Sequence, residues 1–84
     1  MNKLLLTKQA DKELASLPQT VQKRIILAFD EMVDLGVKAS NTKKLQTPFP
    51  GYRKRVGDYR LLFENNQEVI IIYRVTKRFE AYTR

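Results

Sequence analysis

The spacing of apolar residues changes once along the chain. Between Thr7 and Gly36 they recur three or four positions apart, which is the period of an α-helix. From residue 52 onward the apolar residues fall in strand-like runs of five to eight residues that are separated by turn formers. The pattern therefore predicts helices in the first half of the chain and a sheet in the second.

Capping residues and a proline divide the first half into a short strand and two helices. Residues 2–6 (NKLLL) predict the strand, and Thr7 can cap the helix that follows. Pro18 ends that helix, because the residue before a proline avoids helical angles. Thr20 is the predicted cap of the second helix, and Gly36 lies where a C-terminal cap belongs.

The apolar stripe of the second helix is wider than one narrow face. A position between the first helix and the sheet explains this width, and the alternative is apolar surface kept for a partner protein. The stripe consists of Val21, Ile25, Ala28, Met32 and Leu35, and it is widened by Ile26, Leu27, Phe29 and Val33.

The second half predicts strands after a lysine-rich loop. The run VIIIY is apolar on both faces and predicts a central strand. The predicted fold class is α+β, with residues 1–84 as one domain. It comprises an antiparallel sheet of three to four strands plus the N-terminal strand, with the helical hairpin packed on one face, in the order β-α-α-β-β-β(-β). We assign residues 37–50 to the loop, 52–56, 58–64 and 68–75 to strands, 57–58 and 65–67 to turns, and 79–83 to a last short strand.

Composition excludes several kinds of chemistry. The 84 residues include no cysteine and no histidine. The commonest general base and the thiolate metal ligands are therefore missing, which argues against zinc hydrolysis and Ser-His-Asp catalysis. We expect no metal and no cofactor. The N-terminal apolar run is too short for a signal peptide and no run approaches a bilayer span, so a cytoplasmic protein without a membrane partner is expected.

The net charge of +7 lies in the second half of the chain. Cations and anions balance in residues 1–36, and the whole excess falls in residues 37–84. A basic half joined to a neutral half predicts a face that binds a polyanion, and the alternative is a basic solubilising surface.

The most concentrated charge is the stretch RKRVGDYR, residues 53–60. With a two-residue turn at Gly57-Asp58, alternation places Arg53, Arg55 and Arg60 on one face and turns Lys54 toward the helices. Like charges facing each other across a hairpin are unfavourable, so a bound phosphate would explain the cluster. The alternative is an ordinary face of solvated arginines.

The C-terminal stretch VTKRFEAYTR adds more cations. Pairing of the last two long strands brings its start near Arg60. Tyr82 is suited to stacking on an unpaired base, and the alternative is a terminal core aromatic. The residues added are Lys77, Arg78, Tyr82 and Arg84.

LQTPFPGYRKRVGDYRLLFE, an apolar strand and VTKRFEAYTR together resemble the RelE/ParE superfamily of toxins. RelE-like members cut messenger RNA in the ribosomal A site without a metal, the 2′-hydroxyl attacking the adjacent phosphate. The resemblance implies that Arg60 stabilises the transition-state phosphate and that Arg78 and Tyr82 match the arginine and stacking tyrosine near the family's C-terminus. Lys77 stands where many relatives have histidine, and Arg53 and Arg55 stand where RelE has lysines.

The resemblance gives a set of expected site residues and partners. The general base remains open between Lys54, Lys77 and catalysis mainly by electrostatic stabilisation. The expected partners are a cognate acidic antitoxin, mRNA and the 70S ribosome A site. A ParE-like inhibitor of DNA gyrase and a non-catalytic nucleic-acid-binding domain are the alternatives. The expected catalytic residues are Arg55, Arg60, Lys77, Arg78 and Tyr82, and the expected RNA-binding residues are Lys43, Lys44, Arg53, Lys54 and Arg84.

Overall fold

Two helices cover one face of a mixed sheet in this computed structural model, which describes residues 2–45 and 51–77. In these segments the strand order across the sheet is β1-β5-β4-β3-β2. Strand β1 pairs with β5 in parallel, and the remaining neighbours are antiparallel. The predicted α+β class is thus confirmed. The elements are β1 (Lys3–Leu6), α1 (Lys8–Ala15), α2 (Gln19–Leu35), a 3-10 helix (Gly36–Lys38), β2 (Thr42–Lys44), β3 (Tyr52–Val56), β4 (Tyr59–Asn66) and β5 (Val69–Lys77).

The capping residues of the two helices agree with the prediction at two of three positions. The Thr7 hydroxyl oxygen accepts a hydrogen bond from the backbone N–H of Ala10 at 3.1 Å, which confirms it as the cap of α1. Gly36, with φ of 61°, ends α2 as predicted. The start of α2 was predicted wrongly at Thr20. Pro18 holds the cap position, because its fixed φ suits the entry to a helix and its carbonyl accepts the Gln22 N–H at 2.9 Å.

Two details of the sheet differ from the predicted layout. The loop predicted at 37–50 contains strand β2, because Thr42–Lys44 pairs with the edge of β3. The turn after β4 is at Gln67-Glu68, one to two residues later than predicted, since Gln67 takes the left-handed φ of 57°. The strand predicted at 79–83 lies outside the described residues.

The main core lies between the helices and the sheet. The side chains of Ile25 and Met32 on α2 pack against Phe63 of β4 and Ile72 of β5, and all four are fully buried. A smaller cluster of Leu45, Leu62 and Tyr73 lies on the opposite face of the sheet. The central strands are therefore covered on both faces over part of their length, as the VIIIY run predicts.

Helix α1 covers the part of the β5 edge that strand β1 leaves unpaired. Strand β1 pairs with β5 only at residues 69–72, so the edge of β5 beyond Ile72 lacks a strand neighbour among the described residues. The Glu13 carboxylate accepts hydrogen bonds there from the Val75 N–H at 2.7 Å and from Arg74 Nε at 2.9 Å. Neither described helix is long and apolar enough to cross a membrane.

Candidate functional site

The β3–β4 hairpin has the predicted register. Arg55 lies directly opposite Arg60, and Arg53 lies opposite Leu62. Gly57 takes a left-handed φ of 60° in the turn, a conformation that glycine adopts without steric cost. The three arginines therefore lie on the face of the sheet that points away from the helices.

This face carries a cavity of about 250 Å³, which we call the arginine cavity. Strand β2 adds Lys43, which pairs with Arg53 across the sheet. All of the charged residues that line it are cations, so its potential is positive. The lining residues are Asn41, Lys43, Arg53, Arg55 and Arg60.

The side chains of the arginine cavity suit binding of a phosphodiester. Each guanidinium is a planar fork of donors that matches phosphate oxygens and keeps its charge at neutral pH. Directed at one phosphate, Arg55 and Arg60 would favour the extra negative charge of a pentacoordinate transition state. Among the lining residues that the structure describes, Lys43 carries the one amine, which is the kind of group that can serve as a general base.

Lys54 lies elsewhere, and its assignment to the RNA-binding residues needs correction. Its side chain points to the helices, as its pairing with Leu61 requires, and the residue is only 2% exposed. Its ammonium donates to the Glu31 carboxylate at 2.9 Å and to the Ser40 carbonyl. The structure therefore removes Lys54 from the face that carries the arginines, and its ion pair also argues against a role as general base.

The Glu31 carboxylate is held in its ionised form. The Ser40 backbone N–H at 2.8 Å, the Lys54 ammonium and the Ser40 hydroxyl all donate to it. These donors, led by the Ser40 N–H, lower the pKa of Glu31 from 4.5 to about 2. The network joins α2 to β3 and to the segment before β2.

Two other predicted lysines do not line the arginine cavity. Lys44 pairs with Tyr52, so alternation directs its side chain to the other face of the edge strand. Lys77 pairs with Tyr59 and lines a separate groove of about 300 Å³ between α1 and β5, beside Glu13. Arg78, Tyr82 and Arg84 lie outside the described residues and stay predictions.

Sequence reasoning missed two residues near the cavity. The Asn41 carbonyl accepts a hydrogen bond from the Arg55 N–H at 3.1 Å, and Asn41 takes a φ of 56°. Its place in the turn-forming run Ser-Asn-Thr is a usable signal, because asparagine tolerates this conformation. Arg24 was missed because it belongs to the electrically balanced half, yet its guanidinium lies against Gly57.

A family model and a relative in sequence both match this chain to toxins. The model of the ParE toxin of the type II toxin–antitoxin system parDE matches residues 4–82. Toxin RelE3 of Methanocaldococcus jannaschii is 35% identical over 83 residues, covering 95% of this chain and 94% of that protein.

Solved structures of toxin–antitoxin complexes agree. The RelB–RelE complex from Methanococcus jannaschii has a chain 32% identical, with a TM-score of 0.76 and coverage of 93% of this chain and 94% of that one. The RelBE2 complex from Mycobacterium tuberculosis has a chain 25% identical, with a TM-score of 0.80 and coverage of 92% and 98%. The chain therefore belongs to the RelE/ParE superfamily, as a toxin of a toxin–antitoxin system.

Proposed function

We propose that this toxin is an endoribonuclease that cuts translated mRNA in the ribosomal A site without using a metal ion. The observation that carries the proposal is the arginine cavity, where Lys43, Arg53, Arg55 and Arg60 converge and no acidic side chain of residues 2–45 and 51–77 is part of the lining. A concentrated cationic surface of this kind attracts anions, and a nucleic-acid backbone supplies anions at regular intervals.

The proposed reaction is transesterification. The 2′-oxygen bonds to the adjacent phosphorus, the bond from phosphorus to the 5′-oxygen breaks, and the products carry a 2′,3′-cyclic phosphate and a 5′-hydroxyl. Arg55 and Arg60 stabilise the phosphorane-like transition state, and Arg53 holds the flanking phosphate. Lys43 is our candidate for the group that accepts the 2′-proton, and the 5′-oxygen takes up a proton as it leaves.

The residues beyond position 77 have predicted roles in the same reaction. Arg78 is proposed to add a further charge at the phosphate and Tyr82 to stack on a base, as in the family resemblance. Lys77 remains the alternative candidate for the general base, as proposed from the sequence, although it pairs with Tyr59 and lines the groove beside α1 rather than the arginine cavity. Graded losses are expected for Arg78→Ala and Tyr82→Phe.

The proposed partner that restrains the toxin is an acidic antitoxin with an amphipathic segment. The relatives described above were crystallised as RelB–RelE and RelBE2 complexes, which supports this assignment. Apolar surface for such a segment is present on α2, where Ile26 is 49% and Leu27 68% exposed. Phe29 and Val33 are half-buried, and Phe29 packs against the main core, so they offer less surface.

The test is replacement of Arg60 compared with an exposed cation on α1. We expect Arg60→Gln to abolish cleavage, because the transition-state charge loses its cross-strand donor, whereas Lys12→Gln should cleave as the parent does. Mapping of transcript 5′ ends after expression in bacteria measures the effect, and codon-phased cuts are the expected signature. Cleavage by Arg60→Gln at the parental rate, in a variant that melts normally, would remove Arg60 from the mechanism.

A ParE-like inhibitor of DNA gyrase is the second candidate, because the matching family model describes a ParE toxin. Expression of such a protein would give DNA-damage signalling with intact messages. A non-catalytic nucleic-acid-binding domain would give neither effect and no growth defect. The transcript map thus separates all three functions in one experiment.

A further inference from the structure

A second depression lies beside the arginine cavity, around the tip of the β3–β4 hairpin. This hairpin-tip groove has a volume of about 290 Å³ and includes Arg24, Asn41, Arg55 and Gly57 in its lining. Asn41 and Arg55 also line the arginine cavity. The two depressions are therefore neighbours that share a wall, with Arg55 between them.

Arg24 reaches this groove from helix α2. Its Nη1 atom lies 3.0 Å, and its Nη2 atom 3.1 Å, from the position that a β-carbon would occupy at Gly57. On the same residue, the Gly57 carbonyl accepts a hydrogen bond from Arg55 Nε at 3.2 Å. Gly57 therefore brings two guanidinium groups from different elements close to one turn, and a side chain at this position would crowd Arg24.

The acidic groups near Arg24 do not neutralise it. The Glu31 carboxylate in the same groove is engaged by Lys54 and by Ser40. Asp58 is exposed beside Gly57. Within residues 2–45 and 51–77, Arg24 forms no ion pair with a carboxylate. The positive potential of the arginine cavity thus continues around the hairpin tip onto α2.

We propose that Arg24 binds the RNA backbone at a phosphate flanking the one held in the arginine cavity. The proposal rests on the proposed RNA cleavage and extends it to a second contact point. Arg24 positions the strand and is not a catalytic residue, because Arg55 lies between it and Arg60. The neutral charge of the first half of the chain hides this role, since only the fold brings α2 to the hairpin.

The salt dependence of RNA binding tests the proposal. The probe is a 12-nucleotide oligouridylate with a 2′-deoxy backbone at every position, which binds without being cleaved. For Arg24→Gln we expect binding weaker by about three- to fivefold, the size of one exposed ion pair. The slope of log affinity against log salt should fall by about 0.7, the value for one phosphate contact on a single strand. Arg24→Lys should keep most of the slope.

Lys23→Gln is the matched control, because it removes the same charge from an adjacent exposed position on α2 and does not line the groove. If Arg24→Gln and Lys23→Gln have the same affinity and slope while Arg60→Gln loses binding, the Arg24 contact is refuted and the proposed function stands. If the parental protein shows no salt-dependent binding and no transcript cleavage, the proposed function falls with it. A distinct loss for Arg24→Gln alone supports the second contact.

Discussion

At the scale of single residues, a pair of arginines in the site lowers the stability of the hairpin that carries it. Arg55 and Arg60 lie directly opposite each other across β3 and β4. Like charges in this position destabilise a sheet by about 0.2–1 kcal/mol relative to a neutral pair. Such a pair is expected to serve binding, because a bound anion relieves the repulsion.

Replacing Arg55 should therefore move stability and activity in opposite directions. We expect Arg55→Gln to raise the free energy of unfolding by about 0.5 kcal/mol, because the cross-strand repulsion is removed. Cleavage should fall by at least tenfold. Denaturant unfolding and the transcript map measure the two effects, and Lys38→Gln, at an exposed position of the 3-10 helix, is the control. A variant that is both less stable and fully active would contradict this reading of the arginine pair.

At the scale of elements, a partly buried ion pair between Lys54 and Glu31 fixes β3 against α2. Lys54 lies between Arg53 and Arg55 in sequence but on the opposite face of the strand. Its ammonium is bound by Glu31 of α2 and by the Ser40 carbonyl. Because side chains alternate along a strand, holding Lys54 toward the helices directs both neighbouring arginines to the other face.

This ion pair should make stability sensitive to acid. The folded pKa of Glu31 is about 2 and its ordinary value is 4.5, so its contribution is complete above pH 4.5 and is lost as the pH falls toward 2. Glu31→Gln should lower stability at pH 7 by about 2 kcal/mol, the size of one hydrogen bond to a charged group, because the buried Lys54 ammonium loses its carboxylate partner. It should also weaken the dependence on pH between 4.5 and 2.

Melting temperatures measured from pH 7 to pH 2 give both quantities. Asp30→Asn is the control, because Asp30 is the exposed neighbour of Glu31 on α2. An acid transition in Glu31→Gln as steep as that of the parent would show that other groups govern unfolding in this range.

At the scale of the whole molecule, charge is distributed unevenly over the surface. The net charge of +7 arises from residues 37–84, and several of these cations meet on the sheet face that the helices leave open. Self-repulsion of this kind lowers the stability of the compact state and raises the affinity for polyanions. Dissolved salt screens both interactions.

Added salt should consequently have opposite effects on folding and on RNA binding. Between about 50 and 200 mM sodium chloride we expect the melting temperature of the free protein to rise by a few degrees, while the affinity for single-stranded RNA falls steeply. Calorimetry and fluorescence anisotropy in matched buffers measure the two trends. If stability and affinity both decrease as salt is added, repulsion within the arginine cavity is not a major term.

The sequence alone determined the features that depend on local pattern. Thr7, Gly36 and the Gly57-Asp58 turn were correctly identified, because caps and tight turns depend on the conformational preferences of a few adjacent residues. Alternation along the strands then predicted which face carries Arg53, Arg55 and Arg60, since a side-chain period of two needs only the turn position as its origin. The α+β class followed from the two periods of the apolar residues.

Only the tertiary structure decided which distant residues meet. Glu31 and Lys54 are 23 positions apart, and Arg24 meets Gly57 only because α2 packs across the sheet at the hairpin. Lys43 lies beside the arginines because strand β2 pairs with β3, and β2 has only three residues, too short a pattern to be predicted. Lys77 lies in another groove than predicted, because the strand register pairs it with Tyr59. Such contacts depend on the packing of whole elements, so they cannot be predicted from the residue pattern within one element.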